Sequence, residues 1–408
     1  MPFSASLPEP GVNAKEMLRA RDLSELIEMD RQDVLSVSLD IDRTKPEHQK
    51  AHPAYAIWLR NGVKELLNGL SKEDRRNVED PSARVLGFVE DLRPEGRGLV
   101  IFAAPDFWRQ YFLPFPVPNR LRYGRADVMP LLWAMDEYEP YAILFVDREH
   151  ARIMIAYLGA ATVVEEETLE LDTSDWRFKA GRQPTFAKQT GTGAGRGAQR
   201  DTFEARVDDH IRRFWQGAAE AAARWLETLE VRRLIIGGPE EAASAVRDLL
   251  PEPVRNKVVA LVPLPAYAGT AEIQERTIPV ALAEEHRSDA ELVAQLLEAA
   301  GAGSRAAVGK AATLNALMQG QVMTLVAARD LDGDVWRCTA CAYVAADPVA
   351  PCPVCGGVIQ QTPFAQLLPQ LAHRNAATIE LVGKEAAEPL RPHDGIGAIF
   401  RYESAAPQ

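Results

Sequence analysis

The sequence predicts an α/β protein of three domains. A chain of 408 residues is too long for one ordinary hydrophobic core, so two or three domains are expected. Residues 231–236 and 258–262 have the pattern of short buried strands, and residues 240–249 between them have that of a helix. Strand, helix and strand in this succession predict a parallel element in a layered α/β domain.

The first predicted domain, residues 1–138, mixes helical and extended patterns and contains no chemical motif. Helices are predicted at residues 14–29, 54–70 and 81–92, and strands at residues 34–41 and 99–104. Asp40, Asp42 and His52 could be combined into a metal set. Scattered acids near the end of a strand are usually solvated or cap the backbone, and this second interpretation is preferred.

The second predicted domain covers residues 139–272. Successive strands are predicted at residues 141–146, 152–158 and 161–167. A long helix is predicted after a basic loop. Its apolar side chains recur at spacings of three and four: Phe203, Val207, Ile211, Phe214, Trp215 and Ala218. The strand, helix and strand of residues 231–262 complete the domain.

The third predicted domain, residues 273–408, is an α/β domain with an inserted ribbon at residues 334–361. Its predicted helices cover residues 289–300, 307–318 and 364–373, and its strands cover residues 322–327, 377–382 and 395–402. All four cysteines of the chain fall in the ribbon, at Cys338, Cys341, Cys352 and Cys355. Two CxxC turns at this separation can place four thiolates around one Zn²⁺, and a site filled by thiolates is structural. Two disulfides or a redox pair are the alternatives.

Composition and charge limit the possible functions. The formal net charge is −12, which argues against a general nucleic-acid coat, so any contact with a nucleic acid should be local. The first residues lack the layout of a signal peptide, and no apolar run reaches the roughly 20 residues that span a bilayer. We therefore expect a soluble cytoplasmic protein with no membrane partner.

Residues 177–200 are positively charged, whereas the chain as a whole is negatively charged. They contain no acid and six basic side chains: Arg177, Lys179, Arg182, Lys188, Arg196 and Arg200. The glycines at the end of this stretch let backbone approach another molecule closely, so the stretch is interpreted as a contact with a polyanion. A flexible basic linker without function is the alternative.

Three other features near this stretch have a functional and a structural interpretation. Gly193-x-Gly195-x-x-Ala198 fits a dinucleotide fingerprint, but the preceding residues are polar and do not form a buried strand, so no dinucleotide cofactor is expected. Gly237-Gly238-Pro239 could bind an anion at a helix start, although a tight turn is the preferred interpretation. His210 could act as a base, but a histidine facing solvent or capping the helix needs no function.

Three motifs in this order resemble class I release factors of eukaryotes and archaea, and more closely their bacterial homologues. Gly197-Ala198-Gln199 stands where the family has Gly-Gly-Gln, LIIGGP at 234–239 resembles the following strand and turn, and DGIGAIFRY at 394–402 resembles the closing strand. The resemblance covers residues 139–408. It implies an RNase H-like central domain and a Pelota-like C-terminal domain.

The resemblance also implies an activity and its residues. In this family the loop enters the peptidyl-transferase centre of the large ribosomal subunit, where water attacks the ester of peptidyl-tRNA. Gly197, Ala198 and Gln199 would form the catalytic loop, with the Gln199 N–H stabilising the oxyanion and its amide orienting the water. Lys188, Arg196 and Arg200 would hold the loop against RNA.

Two departures from the family pattern qualify this expectation. Residues 1–138 contain neither the Asn-Ile-Lys-Ser nor the Tyr-x-Cys stop-codon motif, so the implied hydrolysis is independent of a codon, as in rescue of stalled complexes. Ala198 replaces the second glycine and would cost about 1–2 kcal/mol if the loop required a positive φ there. The alternative function is a ribosome- or RNA-binding factor with a degenerate, non-catalytic loop.

Overall fold

The structure, a computed structural model, describes residues 20–29, 31–169, 197–303 and 305–402. In this part of the chain, residues 140–281 form one compact unit, the central unit. The residues before and after it, up to 139 and from 282, form a second compact unit, the flanking unit. The two segments of the flanking unit each have a sheet of their own. The three domain boundaries drawn from the sequence stay a prediction.

The first segment of the flanking unit has an antiparallel sheet with two of its helices packed on one face. The sheet order is β3-β2-β1-β4, with strands β1 (Val34–Asp40), β2 (Gly98–Ala104), β3 (Phe107–Leu113) and β4 (Arg120–Gly124). Its helices are α1 (Ala20–Glu28), α2 (Ala54–Gly69), α3 (Lys72–Glu90) and α4 (Met129–Glu137). Alternate residues of β1 and β2 pack on α2 and α3, as the period of two in a strand requires.

The central unit has three layers around a mixed sheet. Its strands, in the sheet order β7-β6-β5-β8-β9, are β5 (Tyr141–Val146), β6 (His150–Tyr157), β7 (Ala160–Thr168), β8 (Leu234–Gly238) and β9 (Val258–Pro263). Strands β5, β8 and β9 are parallel, whereas β6 is antiparallel to both its neighbours. The helices are α5 (Gly197–Thr228), α6 (Glu240–Leu249), α7 (Glu252–Arg255) and the first part of α8 (Thr270–Gly301). Helices α5 and α6 cover one face and α8 the other, which confirms the layered α/β prediction.

The second segment of the flanking unit contains a sheet of order β10-β16-β11-β15. Its strands are β10 (Ala306–Val308), β11 (Val322–Ala328), β15 (Thr378–Val382) and β16 (Ile396–Phe400). The accompanying helices are α9 (Lys310–Met318), α10 (Phe364–Arg374) and α11 (Lys384–Ala387). Between β11 and α10 the chain forms the predicted ribbon, of order β13-β12-β14, from β12 (Asp334–Cys338), β13 (Val344–Ala345) and β14 (Ile359–Pro363).

Three predicted helices differ from the structure at their ends. Gly309, with φ of 92°, divides the helix predicted at 307–318 into strand β10 and helix α9. Helix α3 begins before the predicted residue 81 because the Ser71 hydroxyl accepts the Asp74 N–H at 3.1 Å and caps it. Helix α8 begins well before the predicted residue 289 because Ile273 packs in the central core.

The closing motif of the chain has a structural role in the flanking unit. Asp394 caps helix α9, since its carboxylate accepts the Lys310 N–H at 3.0 Å. Gly395 has φ of 67°, a conformation that suits glycine. A Cβ on Gly397 would lie 2.7 Å from Leu296 Cδ2 and 2.9 Å from the Ala307 carbonyl oxygen. The glycines therefore let strand β16 approach helix α8 and strand β10 closely.

Gly397→Ala should destabilise the flanking unit by about 1–3 kcal/mol, the usual cost of overpacking. The reason is that the new methyl group meets a backbone carbonyl as well as a leucine. Gly301→Ala is the matched control, because the space around Gly301 is open. Urea unfolding of both variants measures the effect, and equal midpoints for the two would contradict it.

Candidate functional site

The predicted catalytic residues lie at the start of the longest helix of the central unit. Helix α5 begins at Gly197, so the backbone of Gly197, Ala198, Gln199 and Arg200 forms its first turn. Lys188 and Arg196 lie outside the described residues. Helical backbone has negative φ, which alanine adopts without strain, so Ala198 carries no positive-φ cost in this conformation. This differs from the loop conformation expected from the sequence.

Helix α5 is fixed to the central sheet by the residues predicted from its periodicity. Ile211, Phe214, Trp215 and Ala218 are all buried, and the Trp215 indole N–H donates to the Asp147 carbonyl at 2.8 Å. Gln199 lies 12 residues before Ile211, about 18 Å along the axis of a helix that rises 1.5 Å per residue. The buried part of the helix is therefore a rigid base for the first turn.

The turn after β5 is held by buried hydrogen bonds, and it also holds the end of strand β7. The buried Asp147 carboxylate accepts the N–H groups of Glu149 at 2.7 Å, His150 at 2.6 Å and Tyr267 at 3.1 Å. Burial opposes its charge, but these hydrogen bonds outweigh burial and lower the pKa of Asp147. The Leu169 N–H donates to the Glu149 carbonyl at 2.7 Å, so the end of β7 is attached to the same turn. The sequence indicated a turn here but not this role of its aspartate.

Gly237 and Gly238 end strand β8 and serve close packing. A Cβ on Gly238, which has φ of 147°, would lie 1.9 Å from the Val146 carbonyl oxygen of the neighbouring strand. After Pro239, helix α6 begins with Glu240 and Glu241, whose negative charges oppose an anion at this helix start. The geometry supports the structural interpretation of this motif.

The four cysteines of the ribbon form a compact cluster of free thiols. Their sulfur atoms all lie within 4.8 Å of one another. The Cys338 and Cys355 sulfurs are 3.5 Å apart, and those of Cys341 and Cys352 are 3.7 Å apart. A tetrahedral Zn²⁺ with Zn–S bonds of about 2.3 Å would place its sulfurs about 3.8 Å apart. The separations fit a four-thiolate metal site and are too long for disulfides.

The backbone around the cysteines also suits thiolates. The Ala340 N–H donates to the Cys338 sulfur at 3.4 Å. A Cβ on Gly357 would lie 3.2 Å from the sulfurs of both Cys338 and Cys355. Donation of N–H groups to coordinating atoms is the usual support of a metal ligand, and Gly357 allows this close approach.

The remaining candidates find structural partners. Asp42 accepts hydrogen bonds from Arg97 at 2.7 and 2.9 Å and from Thr44. The hydrogen bonds from Arg97 are the main reason that the pKa of Asp42 is lowered to about 2. Asp40 pairs with Lys45. In the described residues, the cysteine cluster is the group of His, Cys, Asp and Glu side chains close enough to share a metal ion. His210 is exposed on α5. The described residues contain no helix that is long and apolar enough to cross a membrane.

The central unit matches a known family. Residues 127–282 match the family model described as bacterial archaeo-eukaryotic release factor family 10. This segment of the chain is therefore similar to the archaeo-eukaryotic release factors of bacteria. This release-factor segment contains the first turn of α5, the Asp147 turn and the two glycines of β8. The resemblance inferred from the Gly-Ala-Gln and LIIGGP motifs is confirmed.

Similarity to single proteins extends beyond the release-factor segment. Peptide chain release factor subunit 1 of Methanocaldococcus jannaschii is 24% identical over 390 residues, which cover 85% of this chain and 89% of that protein. The alignment with the crystal structure of the archaeal translation termination factor aRF1 covers 94% of this chain and 97% of that one, with 16% identity and a TM-score of 0.26. The alignment with the structure of Saccharomyces cerevisiae Dom34 covers 78% of this chain and 77% of that one, with 10% identity and a TM-score of 0.39.

Proposed function

We propose that this chain is a ribosome-associated factor that hydrolyses the ester of peptidyl-tRNA without reading a stop codon. The match of residues 127–282 to a release-factor family carries the proposal, because that segment includes Gly197-Ala198-Gln199. The stop-codon motifs are missing from residues 1–138, which favours rescue of stalled complexes over codon-specific termination. Such a factor would work in the cytoplasm on the large subunit.

The first turn of a helix is suited to the proposed chemistry. The first N–H groups of an α-helix have no acceptor within the helix and carry a partial positive charge. When water attacks the ester carbonyl, its oxygen becomes an oxyanion, and one well-placed N–H donor is worth about 10²–10³ in rate. The Gln199 N–H belongs to this turn and is our choice for the donor, while the Gln199 amide would orient the water. The products are a peptide carboxylate and a tRNA with a free terminal hydroxyl.

Contacts with tRNA are assigned to the basic residues around this turn. Lys188, Arg196 and Arg200 belong to the acid-free stretch of a chain whose net charge is −12. Phosphate contacts of this kind fix the position of a protein on RNA without reading sequence, which suits a codon-independent activity.

Structural Zn²⁺ is proposed for the ribbon. Cys338, Cys341, Cys352 and Cys355 would be its four ligands, as supported by their sulfur separations and by the N–H group that donates to Cys338. Four thiolates leave no coordination position for a substrate, so the metal would stabilise the ribbon and take no part in hydrolysis.

A second candidate function is binding of the ribosome or RNA without catalysis. Ala198, in place of the second glycine of the family motif, is the observation that favours it. The methyl group would matter if the turn had to leave helical backbone on the ribosome, since a positive φ at alanine costs about 1–2 kcal/mol.

Gln199→Ala should lower the rate of peptide release from peptidyl-tRNA on isolated large subunits by about 10²-fold, because a misplaced reactant costs that much. Single-turnover release of a radiolabelled peptide measures the rate. Gln216→Ala is the matched control, since Gln216 is exposed further along the same helix and should leave the rate unchanged.

Ala198→Gly separates the two candidate functions. Equal rates for the wild type and Gln199→Ala would remove the hydrolase proposal. Release only by Ala198→Gly would favour the non-catalytic factor, whose loop regains activity when the family glycine is restored. Binding of each variant to the subunits, measured by sedimentation, shows whether a loss of rate is a loss of binding.

A further inference from the structure

Most of the ribbon has almost no charged side chains. Residues 338–363 contain a single one, Asp347, whereas 25% of the residues in the whole chain are charged. The stretch contains no lysine, arginine or histidine. Four thiolates around one Zn²⁺ would add negative charge to it and no positive charge. This part of the ribbon therefore has nothing that attracts phosphate groups.

Apolar side chains are exposed around the second pair of cysteines in the ribbon. Val354 is 69% exposed and Val358 is 71% exposed. They are the most exposed large apolar side chains in the described part of the chain. Ala340 and Pro353 beside them are exposed as well, and we call these four residues the ribbon-tip patch. An exposed group of apolar side chains without charges is typical of a surface that binds another molecule.

The ribbon-tip patch lies at the end of the ribbon opposite its chain connections. Strands β12 and β14 pair from Asp334 with Pro363 at one end to Cys338 with Ile359 at the other. The chain enters and leaves the ribbon at the first end, where the Lys310 ammonium donates to the Asp334 carbonyl at 3.2 Å. The two ends are about 13 Å apart, since a strand rises about 3.3 Å per residue. The patch is thus presented at the free end of the ribbon.

Backbone hydrogen bonds hold the ribbon-tip patch in one conformation. The Gly356 N–H donates to the Cys352 carbonyl at 2.9 Å, and the Cys352 N–H donates to the Gly357 carbonyl at 3.0 Å. The Thr339 N–H and hydroxyl both donate to the Val358 carbonyl, at 3.0 and 3.2 Å. These bonds join the two cysteine turns. A surface that is ordered before binding loses less conformational entropy when a partner binds.

Charge distinguishes between the two materials of a ribosome, RNA and protein. A surface that binds RNA places lysines and arginines against phosphates, and residues 338–363 contain neither. This chain has such side chains elsewhere, in the basic stretch of residues 177–200. The centre of a protein interface, in contrast, is depleted in charge and rich in apolar area. The composition of the ribbon-tip patch is therefore that of a contact with protein.

We propose that the ribbon-tip patch binds a ribosomal protein through an apolar, uncharged area on that protein. Val354 and Val358 would lose the most contact with water, because they are the most exposed members of the patch. The proposal rests on the proposed association with the ribosome but not on the hydrolysis, since the patch contains none of the residues assigned to it. A second contact on the same ribosome would raise the affinity that the basic stretch provides.

Binding of the full chain to ribosomes of its own organism tests the proposal. The double variant Val354→Ser/Val358→Ser changes two exposed side chains, so its fold and metal content should match the wild type. Its dissociation constant, measured by sedimentation, should rise by at least about tenfold, because the buried apolar area is lost. Ile57→Ser is the matched control. Ile57 is 46% exposed on helix α2, and its variant should bind like the wild type.

Val358→Lys distinguishes a protein from RNA opposite the patch. A lysine at this position would tighten binding to RNA, because it would contact phosphates. Against an apolar area of a protein it would bury a charge, so we expect binding no tighter than that of Val358→Ser. A diazirine amino acid in place of Val354 identifies the neighbour directly, since on irradiation it bonds to the molecule that it touches. We expect a crosslink to a ribosomal protein, and this crosslink decides the test if the serine variant loses its metal.

Three results would overturn the proposal: wild-type affinity of the double serine variant, tighter binding of Val358→Lys, or a crosslink to ribosomal RNA alone. Single-turnover peptide release at saturating protein separates the contact from the hydrolysis. A double serine variant that binds weakly but reaches the wild-type maximal rate supports both. A wild type that needs the patch for binding but releases no peptide keeps the contact and removes the hydrolysis. A double serine variant that binds and releases like the wild type does the reverse.

Discussion

Gly238→Ala should unfold the central unit at ambient temperature, with a loss of more than about 4 kcal/mol. The new Cβ would lie 1.9 Å from the Val146 carbonyl oxygen, and backbone cannot yield as the end of a side chain can. The φ of 147° adds strain of about 1–3 kcal/mol for any residue with a Cβ. Relief would require separating β8 from β5, the parallel pair at the middle of the sheet.

Circular dichroism and urea unfolding would measure this loss, and two nearby variants provide the scale. Gly237→Ala meets only the Leu264 Cδ1 methyl at 2.7 Å, which can turn away, so its loss should be smaller. Gly217→Ala has open space inside helix α5 and should stabilise the unit by about 0.5–1 kcal/mol. A Gly238→Ala protein as stable as Gly237→Ala would show that the approach of the strands is not required.

Removing the metal proposed for the cysteine cluster should unfold the ribbon and leave the central unit folded. Structural Zn²⁺ contributes about 10–16 kcal/mol of binding energy in small domains, far more than strands as short as β13 can supply. Cys352→Ser should have the same effect as a strong chelator, since Cys352 is a buried member of the set. Gly357→Ala should weaken metal binding without abolishing it, because the new methyl group crowds two of the cysteine sulfurs.

Native mass spectrometry and the fluorescence of Trp336, on strand β12, measure metal content and ribbon folding together. Ala342→Ser is the control, because Ala342 is exposed beside Cys341 and should leave one Zn²⁺ bound. A folded ribbon without metal, or disulfides among the four cysteines in the purified protein, would contradict the assignment. If the central unit unfolds at the same urea concentration before and after chelation, the effect of metal removal is confined to the ribbon.

Local patterns allowed much of the fold to be predicted. Strand β5 and helix α6 have the predicted bounds, because an apolar run and a 3.6-residue period are properties of adjacent residues. The cysteine cluster was likewise predicted from spacing alone. Helix α4 was missed because it is buried on nearly all sides, so its apolar residues show no period. Strand β4, Arg120–Gly124, was missed because its short polar sequence lacks alternation.

The candidate site was predictable only in part. The motif at Gly197 to Gln199 pointed to the family, but nothing in it showed that this backbone begins helix α5. The motif glycines at 238 and 397 gave the resemblance, whereas their function in packing required the neighbouring strands. The hydrogen bond between the Asp136 carboxylate and the Leu381 N–H could not be predicted, because the two residues come from distant elements and neither sequence marks them as partners.

The bond between Asp136 and the Leu381 N–H joins residues 245 positions apart, with the whole central unit between them in the chain. A ribosome that adds about 5–20 residues per second needs about 10–50 s to cover that interval. For that time the carboxyl group of Asp136 has no strand to accept from and stays in water. The central unit, made of consecutive residues, can complete its sheet first. Helix α4 is thus synthesised early and joins its partner strand late, and the order of folding along this chain differs from the order of its sequence.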